Sequence, residues 1–183
     1  MKVVQTSIPG VLRLDLQAHE DARGHFVRVF DAPVYASAGI PVDFAQDNVS
    51  VSGEGVLRGL HYQRAQPQGK LLGVLHGAIF DVAVDLRRAS PTFGQWVGLR
   101  LDATAPAQVW VPPGFAHGFC VLRAPAVVHY RCTTPYDPDD QQGVRWNDPA
   151  LGIDWPVEAP VVSERDAALP RLGDVPESLL FLG

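Results

Sequence analysis

Apolar residues in this chain recur mostly at every second position, in short runs broken by Gly, Pro and Asp. Leu12, Leu14 and Leu16 alternate with polar neighbours after the Pro9-Gly10 break, which predicts a pair of short strands within residues 1–20. DARG (21–24) predicts a turn, and Phe26, Val27, Val29 and Phe30 open the next extended segment. A short helical stretch is expected around Asp31–Ser37, ahead of Gly39 and Pro41. In FAQDNVSVS (44–52), Phe44, Gln46, Asn48, Ser50 and Ser52 share one face. A solvent face is the commoner reason for such polarity; the lining of a cavity is the other.

From Leu71 the pattern is plainly β. LLGVL, a His76-Gly77 turn and AIFDVAVDL place Phe80, Val82, Val84 and Leu86 on one face and Ile79, Asp81, Ala83 and Asp85 on the other. FGQWVGLRL, QVWV, FCVLR and AVVHYRC read as further strands, with a Pro112-Pro113-Gly114 loop delivering His117. After Thr133 turn residues dominate, so this stretch should wrap the barrel as ordered loop, with one helical turn near Ser163. Glu164 and Asp166 sit at the start of that turn, where acids suit the helix dipole. Many short strands and almost no amphipathic helix indicate an all-β jelly-roll sandwich or barrel with short peripheral helices. With no repeat, low-complexity tract or linker, a single domain over 1–183 is expected.

At 183 residues and 46% hydrophobic, the chain can bury a full core. With a net charge of -5 and no basic run, a nucleic-acid footprint is not expected. The N-terminal MKVVQTSIPGVLRL has no long apolar core of a signal peptide, and no apolar window is long enough for a membrane span, so a cytoplasmic, soluble protein is expected. Cys120 and Cys132 match neither a zinc-pair spacing nor a disulfide scaffold and read as reduced, structural residues. Arginine outnumbers lysine 13 to 2, and the only lysine beyond Lys2 is Lys70. An ammonium is a compact point charge, whereas guanidinium is a planar fork, so Lys70 marks a place where the former is wanted.

Candidate chemistry concentrates in GVLRGLHYQRAQPQGK (55–70). Arg58 and His61 are three apart and would point to opposite faces of a regular strand. Gly59 between them suits a bulge that would turn both into one cavity. Grouped with Lys70, His117, Tyr130 and Asp166, they supply a base, an acid and cations. An imidazole held by a carboxylate can remove a proton at neutral pH. A tyrosine facing it could return one to the opposite side of a carbon, with Lys70 stabilising the intervening enolate. Asp166 either orients His61 or caps its helical turn, and Tyr136 rivals Tyr130 as the acid.

QDNVSVSGEGVLRGLHYQ, DVAVDLRRASPTFGQW, VPPGFAHGF and WNDPALGIDWP resemble the dTDP-4-dehydrorhamnose 3,5-epimerase family over about Asp21 to Leu169. The resemblance implies a cupin-type jelly roll, a homodimer, no metal or organic cofactor, and a dTDP-linked 4-keto-6-deoxy sugar as substrate. Carried over by motif, it makes His61 the base for C3 and C5, Asp166 its partner, Tyr130 the acid and Lys70 the enolate stabiliser. It also assigns Arg23, Gln46, Asp47, Asn48, Arg58, Lys70, His117 and Arg165 to substrate binding, part of that site coming from the dimer partner. Arg28 and Gln141 depart from the family pattern, which has glutamates there, and the His61–Lys70 loop is a residue shorter than in many relatives. Other readings are a single-site C3 or C5 epimerase, a metal-dependent cupin and a non-catalytic sugar-nucleotide-binding protein. The metal site would need two close histidines plus a carboxylate and another histidine, and only His61 lies in the relevant strand.

Overall fold

The computed structural model describes residues 1–182. Its strands are β1 (Lys2–Gln5), β2 (Leu12–Asp15), β3 (Ala18–Asp21), β4 (Gly24–Val27), β5 (Gln46–Ser52) and β6 (Leu57–Gln63). They continue with β7 (Lys70–Asp85), β8 (Trp96–Asp102), β9 (Ala107–Val111), β10 (Phe115–Cys132) and β11 (Gln141–Gly143). Two short helices, α1 (Ala32–Ser37) and α2 (Glu164–Ala167), lie outside the strands.

Two long antiparallel strands, β7 and β10, organise the rest, because each belongs to two sheets. The first half of β7 pairs β9 and its second half pairs β8; the first half of β10 pairs β6 and its second half pairs β5. One sheet therefore runs β1-β2-β9-β7-β10-β5, and the other runs β8-β7-β10-β6-β11. Folding the two over each other makes the cupin-type jelly roll.

At the fold between the sheets, β7 bends at Gly77, whose φ of +79 suits glycine. A side chain there would collide with the carbonyls of Arg123 and Pro125. The sequence pattern suggests a hairpin turn at His76-Gly77, but the residues before and after pair the same neighbour, β10, so the chain bends without reversing. FCVLR and AVVHYRC likewise form one strand. Inward positions change parity across the bend, from Leu72 to Ile79 and Ala83 in β7, and from Phe119 and Val121 to Ala126 and Val128 in β10.

These residues and Val109, Val111 and Phe115 fill the space between the sheets. Outside the second sheet, Val82, Val84 and Leu86 pack beneath Val144, Leu151, Val175 and Phe181 of the C-terminal segment. Outside the first, Leu71 and Trp110 pack beneath Tyr35 and Ile40. Burial on both faces explains why β7 reads as a nearly continuous apolar run. The turn-rich stretch wraps the barrel as expected, except that Gln141–Gly143 adds a strand to β6. DARG is the tip of a separate β3-β4 hairpin, and its Phe26 is 64% exposed instead of packing inward.

Candidate active site

A cleft opens between the two sheets at the end opposite the bend, and β5 provides one wall. Gln46, Asn48, Ser50 and Ser52 face inward, while Val49 and Val51 are 60% and 65% exposed. The polar face of FAQDNVSVS is thus a cavity lining and its apolar face is the outer one.

The opposite wall is β6, where the register against β10 slips by one residue. His61 stands opposite His117, and Arg58 stands opposite Phe119, so three steps on β6 match two on β10. The extra residue is a bulge at Gly59, which has a φ of +126. A Cβ on Gly59 would lie 2.7 Å from the Gly118 Cα, so these backbones approach as only glycine permits. The bulge brings Arg58 and His61 to the same cavity. Arg58 Nε donates to Ser52 Oγ across the cavity floor at 3.0 Å.

The C-terminal segment is pinned beside β6 by backbone bonds, Leu57 N to the Val161 carbonyl and Val161 N to the Gly55 carbonyl, each 2.9 Å. That places α2 over the bulge. Ser163 caps the helix by accepting from Asp166 N at 3.1 Å, which frees the Asp166 carboxylate to face β6. One carboxylate oxygen lies 2.7 Å from His61 Nε2 and the other accepts the Gly59 N–H at 3.0 Å. Burial pushes the Asp166 carboxyl up, but the bonds from His61 and Gly59 outweigh it and hold the group below its ordinary value. It therefore stays an anion that orients the imidazole.

The main cavity, about 470 Å³, is lined by Ser50, Arg58, His61, Lys70, His117, Tyr130, Gln141, Arg165 and Asp166 among others. A second, of about 290 Å³, shares His61, Lys70, Tyr130 and Gln141 and adds Gln46, Asn48 and Tyr136, making one continuous cleft. His61 and His117 come from one sheet, and Lys70, Tyr130 and the β5 side chains from the other. Desolvation lowers the pKa of Lys70 and raises that of Tyr130. Among the described residues no group of three His, Cys, Asp or Glu converges to hold a metal ion.

Most of the anticipated residues meet here, with two exceptions. Asp47 points outward, where its carboxylate contacts His129 Nε2 at 2.6 Å and Arg131 Nε at 3.3 Å; strand alternation turns it away from Gln46 and Asn48. Arg23 sits at the hairpin tip with 88% of its side chain exposed, paired with Asp21, and lines neither cavity. Of the two departures from the family pattern, Gln141 lines both cavities, whereas Arg28 pairs with Asp31 on the surface. Tyr136 is exposed, and its hydroxyl donates to Gln141 Oε1 at 2.7 Å. The sequence reading placed Ser50 on a face that could line a cavity without giving it a place in the site, and gave Asp81 no role. The signal for both was strand parity, a polar side chain on an inward-facing position.

The family described as dTDP-4-dehydrorhamnose 3,5-epimerase matches residues 5–174. The chain belongs to this family. An epimerase of that name from Pseudomonas aeruginosa is 50% identical over 168 residues, covering 91% of this chain and 93% of its own. The crystal structure of the Legionella pneumophila enzyme in complex with dTDP-4-keto-L-rhamnose superposes with a TM-score of 0.96 at 46% identity, covering 98% of this chain and 97% of that one. The Bacillus anthracis epimerase, with TDP and pyrophosphate bound, gives a TM-score of 0.90 at 44% identity, over 93% of this chain and 99% of that one.

Proposed function

We propose that this protein is a dTDP-4-dehydrorhamnose 3,5-epimerase, converting dTDP-4-dehydro-6-deoxy-D-glucose into dTDP-4-dehydro-L-rhamnose. The observation that carries the reading is the Asp166-bound His61 reaching the cleft from one sheet while Tyr130 and Lys70 reach it from the other. Inverting a carbon requires a base on one side and an acid on the opposite side, and a sugar ring lying between the sheets meets both.

His61 removes the protons at C3 and C5, each acidified by the C4 ketone. Asp166 holds the ring and stabilises the imidazolium that forms. Lys70 donates to the C4 oxygen as its charge develops. Tyr130, kept protonated through the neutral range by its raised pKa, returns a proton to the far face. Arg58 and Arg165 suit the diphosphate, with Gln46, Asn48 and His117 as further polar contacts.

Arg23, remote from its own cleft, fits a homodimer in which each hairpin reaches the partner's site. The same reading places the enzyme in the cytoplasm, consistent with the absence of any helix long and apolar enough to cross a membrane among the described residues.

The test is proton NMR of dTDP-4-keto-6-deoxy-D-glucose with the protein in deuterium oxide. Loss of both the C3 and C5 signals is expected. Loss of one alone would make it a single-site epimerase, and loss of neither would overturn the assignment.

A further inference from the structure

Beside the His61–Asp166 pair lies a second histidine–carboxylate pair, set deeper in the fold. Asp81 is 1% exposed, on the inward face of β7 between the core residues Ile79 and Ala83. His117 of β10 stands opposite Ala83, so Asp81 meets it on the diagonal, with Oδ2 2.8 Å from Nε2. On its other side His117 stands opposite His61 of β6, and its side chain is 10% exposed where that of His61 is 25%. A carboxyl group loses its proton well below neutral pH and an imidazole keeps one, so the proton in this contact lies on Nε2 and Asp81 accepts it. The other ring nitrogen, Nδ1, has no hydrogen-bond partner among the described residues and is not sealed from solvent, and His117 lines the main cavity. The carboxylate thus gives a fixed polarity to a side chain that otherwise donates or accepts at either nitrogen: His117 becomes an acceptor at Nδ1 on the cavity wall.

We propose that Asp81 is a positioning residue that fixes the tautomer of His117, and that the Nδ1 acceptor so formed binds the C2 hydroxyl of the sugar, next to the reacting C3. The choice of hydroxyl rests on the reaction assigned above; the tautomer does not. His61 and His117 are cross-strand neighbours, with Cβ atoms about 5 Å apart, so a ring whose C3 meets His61 brings the substituent of the next carbon to His117. In that sugar the C1 oxygen carries the diphosphate, the C4 oxygen is a ketone without a proton, and C6 is a methyl group. Only the C2 and C3 hydroxyls have a proton to donate. The C3 hydroxyl changes sides as its carbon inverts, whereas the C2 hydroxyl keeps its place through both proton transfers, so a fixed acceptor suits C2. A carboxylate buried among apolar side chains adds little to stability even when paired. A locked acceptor, however, rejects a ligand with no hydroxyl to offer it. Asp81 contributes selectivity in place of stability.

Two-bond ¹H–¹⁵N correlation spectra distinguish the two imidazole tautomers, and among the six histidines of the chain His117→Gln identifies the signal of interest. In the unmodified protein near neutral pH, His117 is expected to carry its proton on Nε2 alone; a proton on Nδ1 would overturn the proposal. In Asp81→Leu the buried Nε2 loses its acceptor, and the proton is expected to move to Nδ1, which has access to the cleft. A folded variant that keeps it on Nε2 would show that Asp81 does not set the tautomer. For the hydroxyl, kcat/KM is compared between dTDP-4-keto-6-deoxy-D-glucose and its 2-deoxy form. The unmodified protein should favour the hydroxylated sugar by about tenfold to a hundredfold. Asp81→Leu should lose most of that preference, because only the hydroxylated sugar loses a contact. Equal kcat/KM for both sugars in the unmodified protein, a result that depends on no variant folding, would overturn the assignment of C2. If neither sugar is turned over while His117 keeps its Nε2 proton, the assigned reaction fails and the C2 contact with it, and Asp81 still stands as the residue that sets the tautomer.

Discussion

In the proposed reaction His61 and Tyr130 carry distinct burdens, and each can be removed without emptying the cleft. A positioned base contributes about 10² to 10⁴ in rate, so His61→Asn should lower kcat by that order while dTDP binding by calorimetry persists. Near-normal turnover would exclude His61 as the base. Tyr130→Phe should cost kcat heavily, whereas Tyr136→Phe should chiefly raise KM. The reason is placement: Tyr136 is exposed and commits its hydroxyl to Gln141, at the rim, while Tyr130 is half-buried between the sheets. A reversal of these two phenotypes would make Tyr136 the acid. Much of this chemistry was legible in the sequence, since His61, Lys70, Tyr130 and Asp166 each stand in a distinctive motif. The direction of Asp47 was not, because it depends on which face of β5 is inward. Polar and apolar residues alternate there, and only the packing of β5 against β10 decides between them.

At the scale of elements, a bulge and a turn matter most. Gly59 combines a left-handed φ with backbone contact to Gly118, so Gly59→Ala should destabilise the protein by about 2 kcal/mol or more. Urea midpoints measure that loss. Activity at low temperature should fall further than stability alone explains, because Arg58 and His61 lose their common face. Asp85 anchors the turn after β7, accepting from Arg87, Ser90 and Thr92. Burial pushes its carboxyl up, but these donors pull it to about 2 from an ordinary 3.8. A depressed folded value means the contribution is whole above about pH 4 and disappears as pH falls through about 2. The stability gap between the unmodified protein and Asp85→Asn should therefore narrow by about 2 kcal/mol between about pH 6 and pH 2. A constant gap would show that Asp85 acts through shape alone. The bulge could be anticipated from the LRGLH spacing. The bend at Gly77 could not, because a glycine within a strand pattern is equally compatible with a hairpin, and only pairing of both halves with β10 distinguishes them.

At the scale of the whole molecule, the outer face of β5 and the β3-β4 hairpin stand apart from the rest of the surface. Val49, Val51 and Phe26 are all at least 60% exposed, and Arg23 is exposed and lines neither cavity. A second copy covering this face would bury the apolar side chains and bring each Arg23 to a partner's site. Sedimentation should give about twice 19.9 kDa. Val51→Lys should shift the protein towards monomer and raise KM, whereas full activity as a monomer would remove the need for Arg23 in trans. Local patterning by itself determined that this chain is mainly β, where most of its glycine and proline breaks fall, and which side chains have the chemistry for proton transfer. Strand periodicity, turn residues and residue type are properties of a few neighbouring positions. Tertiary structure alone decided that β7 and β10 each serve two sheets, that His61 and Tyr130 enter from opposite sides, and that Asp81 and Asp166 each hold a different histidine. Those facts depend on contacts between residues as far apart as His61 and Asp166, which no local pattern encodes.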